Sequence, residues 1–197
     1  MKPRVKKVKT KLVGKSVPNN KDDNGTTGRF IEDELEKEGH IINRSESGPD
    51  LIDYEVEVKS RLIGSKSPWT IGSMTRNHIE NTPYEQSLIF EKIQTVLIVA
   101  HNNDEVRQAD TYPLRDPYIQ SRIKEAYEKS RAAIIKGEDG YIRDSKYGYF
   151  EKIKGRKNQY KFRIPNNIMK NFRMTSATLP GFNKFFKRKD NDNQAGC

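Results

Sequence analysis

Only one cysteine, Cys197, occurs in 197 residues, so the chain can form neither a disulfide framework nor a thiolate zinc site. A reducing, cytoplasmic setting is expected. No apolar run approaches the roughly 18 residues that a membrane span requires, and the basic start is not followed by the apolar stretch of a signal peptide. No basic amphipathic helix with bulky apolar residues stands out, which argues against a membrane partner. Internal repeats are absent too. Hydrophobic residues make up only 33% of the chain against 32% charged, and both ends are too hydrophilic to feed a core. The expectation is one folded domain at 25–186, preceded by a basic flexible arm at 1–24 and followed by a polar tail at 187–197.

What the chain has in excess is positive charge. Lys and Arg number 37 against 27 Asp and Glu, a formal charge of +10 with a pI near 9.5. A protein that neutralises phosphates carries such a balance, so double-stranded DNA is the expected partner, with an unspecific basic surface as the plainer alternative. Lys2, Arg4, Lys6, Lys7, Lys9, Lys11 and Lys15 crowd the first segment before a Pro-Asn-Asn-Lys-Asp-Asp-Asn run. That arm either lies along a DNA backbone or serves as a solubilising tail.

The stretch SGPDLIDYEVEVKS, 47–60, places two acids and a lysine at the spacing of a metal-dependent nuclease. Its later part alternates as a half-buried strand does, with Tyr54, Val56 and Val58 on one side and Glu55, Glu57 and Lys59 on the other. Gly48 and Pro49 can build a turn that brings the Asp50 carboxylate beside that strand. Two neighbouring carboxylates repel unless a cation lies between them, and hard oxygen ligands favour Mg²⁺. Lys59, on the face of Glu57, can then orient or deprotonate a water, or neutralise charge developing on a phosphate. The same spacing also arises by chance in so charged a chain.

Elsewhere the pattern predicts a helix from Thr26 to Gly39 with Phe30, Ile31 and Leu35 on its apolar face. Glu32 lies at the edge of that face, where it can point into a cleft, and Asp33, Glu34 and Glu36 form a solvated face. The segment 65–74 reads as a loop leading to a short extended piece, with Trp69 as a core anchor. A helix is expected to start at Thr82 and Pro83, a buried strand to follow at 95–100, and a long helix to run from Asp116 and Pro117 to Gly137. Strands at 147–153 and 160–164 flank a hairpin loop. Arg156, Lys157, Lys161 and Arg163, on that loop and its second strand, are candidates to enter a DNA groove, a solvated strand face being the alternative. The GFNKFFKRKD stretch from Gly181 mixes aromatics with cations.

With these residues in view, the chain resembles the MutH mismatch-repair endonucleases and the restriction enzymes related to them that recognise GATC. Gly28-Arg29-Phe30-Ile31-Glu32 is similar to the family's G-x-L-I-E helix, and GPDL and EVEVK are similar to its PDF and G-I-E-L-K elements. Phe90-Glu91-Lys92 is similar to a lysine-bearing segment ahead of a buried strand, and the long helix and KFRIPNN fall in family order. The resemblance implies an α/β fold of the restriction-endonuclease type, a mixed sheet flanked by helices with a DNA-binding cleft. It implies Glu32, Asp50, Glu57, Lys59 and Lys92 as active-site residues, and Asp50, Glu57 and the Val58 carbonyl as Mg²⁺ ligands. Two departures stand out: PDL replaces PDF, and Glu55 replaces the family's glycine. The family's base-reading residues find no counterpart on the hairpin residue by residue. The expected activity is Mg²⁺-dependent, sequence-specific hydrolysis of duplex DNA by a type II restriction endonuclease. A MutH-type nicking enzyme and a DNA-binding protein with a dead site are the alternatives. A homodimer and a repair or restriction partner protein both stay open.

Overall fold

The fold comes from a computed structural model, which describes residues 11–18, 26–45, 48–52, 55–93, 95–102, 104–138 and 147–166, and the backbone of 175–178. Tyr54, the first ten residues of the basic arm and the 181–197 stretch lie outside the described residues. In chain order the elements are α1 (Thr26–Lys37), β1 (Val56–Leu62), β2 (Trp69–Thr75), α2 (Arg76–Asn81), a 3-10 turn (Tyr84–Gln86), α3 (Leu88–Lys92), β3 (Thr95–His101), β4 (Val106–Tyr112), α4 (Pro117–Ile135), β5 (Tyr149–Lys152), β6 (Gln159–Ile164) and β7 (Thr175–Thr178). They form a mixed α/β structure with two small sheets. Among the described residues no helix is long and apolar enough to cross a membrane.

The first sheet has the order β1-β3-β4-β7, with β1 and β3 parallel and the other pairs antiparallel. Everything between β1 and β3, including β2, α2 and α3, belongs to the crossover that a parallel pair requires. The second sheet, β2-β6-β5, is antiparallel throughout. Two cores follow from the alternation of the strands. Val96, Ile98 and Tyr112 of the first sheet face Ile119, Ile123 and Tyr127 of α4 and Phe150, Tyr160 and Phe162 of the second sheet. On the opposite face Val56, Val58, Leu97, Val99 and Ala109 pack with Ile31 and Leu35 of α1.

Several local signals act as the pattern predicts. The Asp116 carboxylate accepts hydrogen bonds from the amides of Tyr118 and Ile119, and Pro117 opens α4. Ile119, Ile123, Tyr127, Ser130 and Ile134 are all buried. Trp69 is a core residue, but it begins a full strand rather than ending a loop. The helix expected from Thr82 is broken: a 3-10 turn comes first, and Ser87 then caps α3 by accepting from the Phe90 amide at 3.2 Å. Glu34, expected on a solvated face, is buried and paired with Lys15 and Lys37 at 2.9 and 2.7 Å.

The stretch read as a flexible arm divides. Residues 11–18 join the fold: Leu12 and Val17 are buried in the second core, and the 14–17 backbone bonds Asp104 and Val106. Lys11 and Lys15 are engaged with Glu38 and Glu34, so they are not loose phosphate ligands. Leu12→Ala should therefore destabilise the protein by about 2–5 kcal/mol. A Leu12→Ala midpoint equal to wild type in thermal denaturation would mean that 11–18 is not part of the folded unit.

Candidate active site

Glu57 and Lys59 lie two residues apart on β1, with Cα partners Val96 and Ile98 on β3. Those partners belong to the core that faces the second sheet, so the side chains of Glu57 and Lys59 project toward that core's margin. Val56 and Val58 take the opposite face. The Glu57 side chain is fully shielded from solvent. Its Oε1 accepts a hydrogen bond from Lys59 Nζ and another from Lys92 Nζ at 3.3 Å, although Lys92 lies 35 positions later in the chain. Its Oε2 is buried with no hydrogen-bond partner among the described residues.

Asp50 arrives by a short hairpin. Leu51 and Val56 exchange two backbone hydrogen bonds, of 2.8 and 3.2 Å, which folds the chain back so that Asp50 Oδ2 accepts from the Val58 amide at 2.7 Å. Gly48, ahead of Asp50, and Glu55, within the hairpin turn, both have positive φ, at 75° and 55°. Glu55 thus sits in the turn before β1 rather than on its chemical face; it is exposed and paired with Arg115. A residue in an extended strand directs its N–H and C=O to the same edge. The Val58 carbonyl therefore points along the open edge of β1 where Asp50 sits.

Lys92 is held from two directions. It ends α3, and the carbonyl of the next residue, Ile93, accepts a hydrogen bond from Gln120 Nε2 of α4 at 2.7 Å. Beneath it, β2 carries a register shift at Gly72, where an added Cβ would meet Ile89 at 3.2 Å and the Lys92 chain at 3.7 Å. The missing side chain lets α3 lie close to β2. Glu32, half-buried on α1, completes the neighbourhood. Burial raises its pKa above the ordinary carboxylate value, Asp50 and Asp33 raise it further, and Arg44 and Lys59 oppose the shift.

Glu57 carries the same signature more deeply. Burial pushes its pKa up; Lys59 and Lys92 counter this, and Asp50 adds to it. Two lysines thus do not fully offset desolvation of the carboxylate and repulsion by its neighbour. Glu57 Oε2, the Asp50 carboxylate and the Val58 carbonyl are hard oxygen donors. Such a set suits a small divalent cation that keeps several waters. Among the described residues no group of three or more His, Cys, Asp or Glu is placed to hold a metal ion.

Beside Lys59 opens a cleft of about 700 Å³ between β1 and the β2–β6 pair. Lys59, Arg61, Lys161 and Arg163 line it, and among the described residues no Asp or Glu does. Lys161 and Arg163 alternate with the buried Tyr160, Phe162 and Ile164 and turn outward, as the strand pattern predicts. Arg156 and Lys157 lie apart from them on the turn beyond Gln159, about 13 Å of strand from Arg163; both are exposed. The structure therefore gathers Glu32, Asp50, Glu57, Lys59 and Lys92 into one neighbourhood and sets Lys161 and Arg163 on the adjoining cleft. Arg61 is a cleft residue that the spacing of acids and lysines does not reveal.

The raised Glu57 pKa has a sign that can be measured without metal. A carboxyl whose folded pKa exceeds its unfolded value contributes stability below the unfolded value and loses it as pH rises through the folded one. As pH rises above the ordinary carboxylate range, the stability difference between Glu57→Gln and wild type should thus move in the variant's favour. Thermal denaturation in EDTA reads this; a difference independent of pH would mean that Glu57 titrates normally. Compared with known proteins, the chain matches no family model and no curated sequence.

Proposed function

We propose that the protein is a Mg²⁺-dependent endonuclease that hydrolyses phosphodiester bonds in duplex DNA, built on a restriction-endonuclease type of fold. The observation that carries this reading is the buried Glu57 carboxylate, on which Lys59 and Lys92 converge from separate elements while Asp50 is folded back beside it. A sealed carboxylate with an orphaned oxygen is costly to a fold that gains nothing else from it. The resemblance of GPDL, EVEVK and the FEK segment to the MutH endonucleases and their GATC-cutting relatives points to the same chemistry. The left-handed backbone at Glu55, where that family has glycine, fits the resemblance.

In this reading Asp50, Glu57 and the Val58 carbonyl hold Mg²⁺, which would supply an activated water and neutralise charge on the phosphate. Lys59 reaches both Glu57 and the cleft, so its ammonium can orient the attacking water or meet the charge that develops on the phosphate. Lys92 shares Glu57 Oε1 and holds that carboxylate's orientation. Glu32, whose pKa is raised by burial and by Asp50, lies at the margin of the site, where a carboxyl can exchange a proton. The cations of the cleft would receive the DNA backbone. A type II restriction endonuclease of the cytoplasm is the preferred role, with a MutH-type nicking enzyme beside it.

Digestion of methylated and unmethylated plasmids with Mg²⁺ tests the proposal and separates cutting of one strand from cutting of both. Asp50→Asn and Glu57→Ala should abolish cleavage while duplex binding in Ca²⁺ stays within about tenfold, because a ligand is lost and the positive surface is not. Glu55→Gln, outside the site, should retain much of the activity. Substantial cleavage by either site variant would remove these residues from the chemistry. Lys92→Ala should lower turnover without unfolding the protein; a full-rate Lys92→Ala enzyme would make that lysine a structural partner of Glu57 only.

A further inference from the structure

The cleft holds one cation that no carboxylate answers. Lys59 is paired with Glu57, and Lys161 and Arg163 share Glu151 at 3.9 and 2.5 Å. Arg61, two residues beyond Lys59 on the same face of β1, enters no ion pair among the described residues. Its guanidinium is nevertheless mounted firmly. Nη1 donates to Asn166 Oδ1, Nη2 donates to the carbonyls of Ser65 and Ser67, and the group lies 4.3 Å from the Trp69 ring centroid. Asn166 is itself tied to the Lys66 carbonyl at 2.7 Å. Every one of these acceptors is neutral.

A guanidinium has five N–H donors, and three are used here, which leaves two for whatever occupies the cleft. Burial pulls the Arg61 pKa below the ordinary arginine value, as it does for a cation withdrawn from water without a counter-charge. A partly buried arginine can be neutralised by a neighbouring Asp or Glu. Among the described residues the lining of this cleft contains neither, which leaves the Arg61 guanidinium open to an anion from outside the protein.

We propose that Arg61 binds a DNA backbone phosphate, the one next to the phosphate that is cut. The proposal rests on the endonuclease reading for the identity of the strand in the cleft. Residues i and i+2 of a strand project side by side roughly 7 Å apart, a separation comparable to one nucleotide of backbone. Lys59 at the scissile phosphate thus sets Arg61 at its neighbour. The preformed fork and the Trp69 platform mean that little side-chain freedom is lost on binding.

The test is the salt dependence of duplex binding in Ca²⁺, with wild type and Arg61→Gln. Arg61→Gln should weaken binding roughly tenfold at fixed salt and lower the log–log slope by about 0.9, whatever the sequence. An unchanged slope overturns the proposal. Should Arg61→Gln not fold, wild-type protein is titrated with duplexes carrying single uncharged methylphosphonate linkages. A loss confined to the linkage beside the cut supports Arg61 as its ligand, and an equal small loss at every linkage overturns it. Cleavage in Mg²⁺ keeps the two readings apart. A protein that cuts DNA with an Arg61-independent slope loses only this phosphate site. One that binds with an Arg61-dependent slope and cuts nothing keeps the phosphate site and loses the endonuclease reading.

Discussion

A carboxylate sealed from water is the constraint around which this protein is arranged. Glu57 has no solvent exposure, and one of its oxygens has no hydrogen-bond partner among the described residues. Burying a charge in this way is tolerable only when opposite charge is near and well placed. Lys59 and Lys92 provide that charge, yet burial still raises the Glu57 pKa. Asp50 increases the strain by adding a second negative charge. The proposed Mg²⁺ would add positive charge beside these two carboxylates.

The topology explains how such a cluster is assembled. β1 is the edge of its sheet, so the backbone of Val58 is free to bond Asp50. The crossover from β1 to β3 carries α3 along β2 and delivers Lys92 just before β3 begins. The absence of a side chain at Gly72 and the hydrogen bond from Gln120 to Ile93 fix its depth. On the outer side the second sheet turns Lys161 and Arg163 toward the same cleft as Lys59 and Arg61. The carboxylate cluster and the cationic cleft thus meet along one strand edge.

Much of this was legible in the amino-acid order because its signals are local. Alternation placed Glu57 and Lys59 together and Asp116-Pro117 marked the start of the long helix, whereas Asp50 is returned by the Leu51–Val56 pair rather than by a turn at Gly48-Pro49. What stayed hidden depends on tertiary context. β4 is a central strand, but Gln108, Asp110 and Thr111 are buried in it, so VRQADTY lacks the apolar run expected of such a strand. Leu12 and Val17 are scattered among cations, and their docking on the second core overrides a composition that reads as an arm. Ser87 interrupts a helical pattern by capping a new helix within it. Lys92 carries no spacing signal of its own and came from the resemblance together with its place just ahead of the buried strand. Arg61 carries none either: its role depends on the loop oxygens and the indole that surround it in space.

Calorimetric titration of Mg²⁺ into the metal-free protein, compared with Glu57→Gln and Asp50→Asn, tests the central claim most directly. The account predicts one binding event for wild type, accompanied by proton release near the raised Glu57 pKa, and none for either variant. Equal Mg²⁺ binding by all three proteins, or none by wild type even with duplex DNA present, would contradict it.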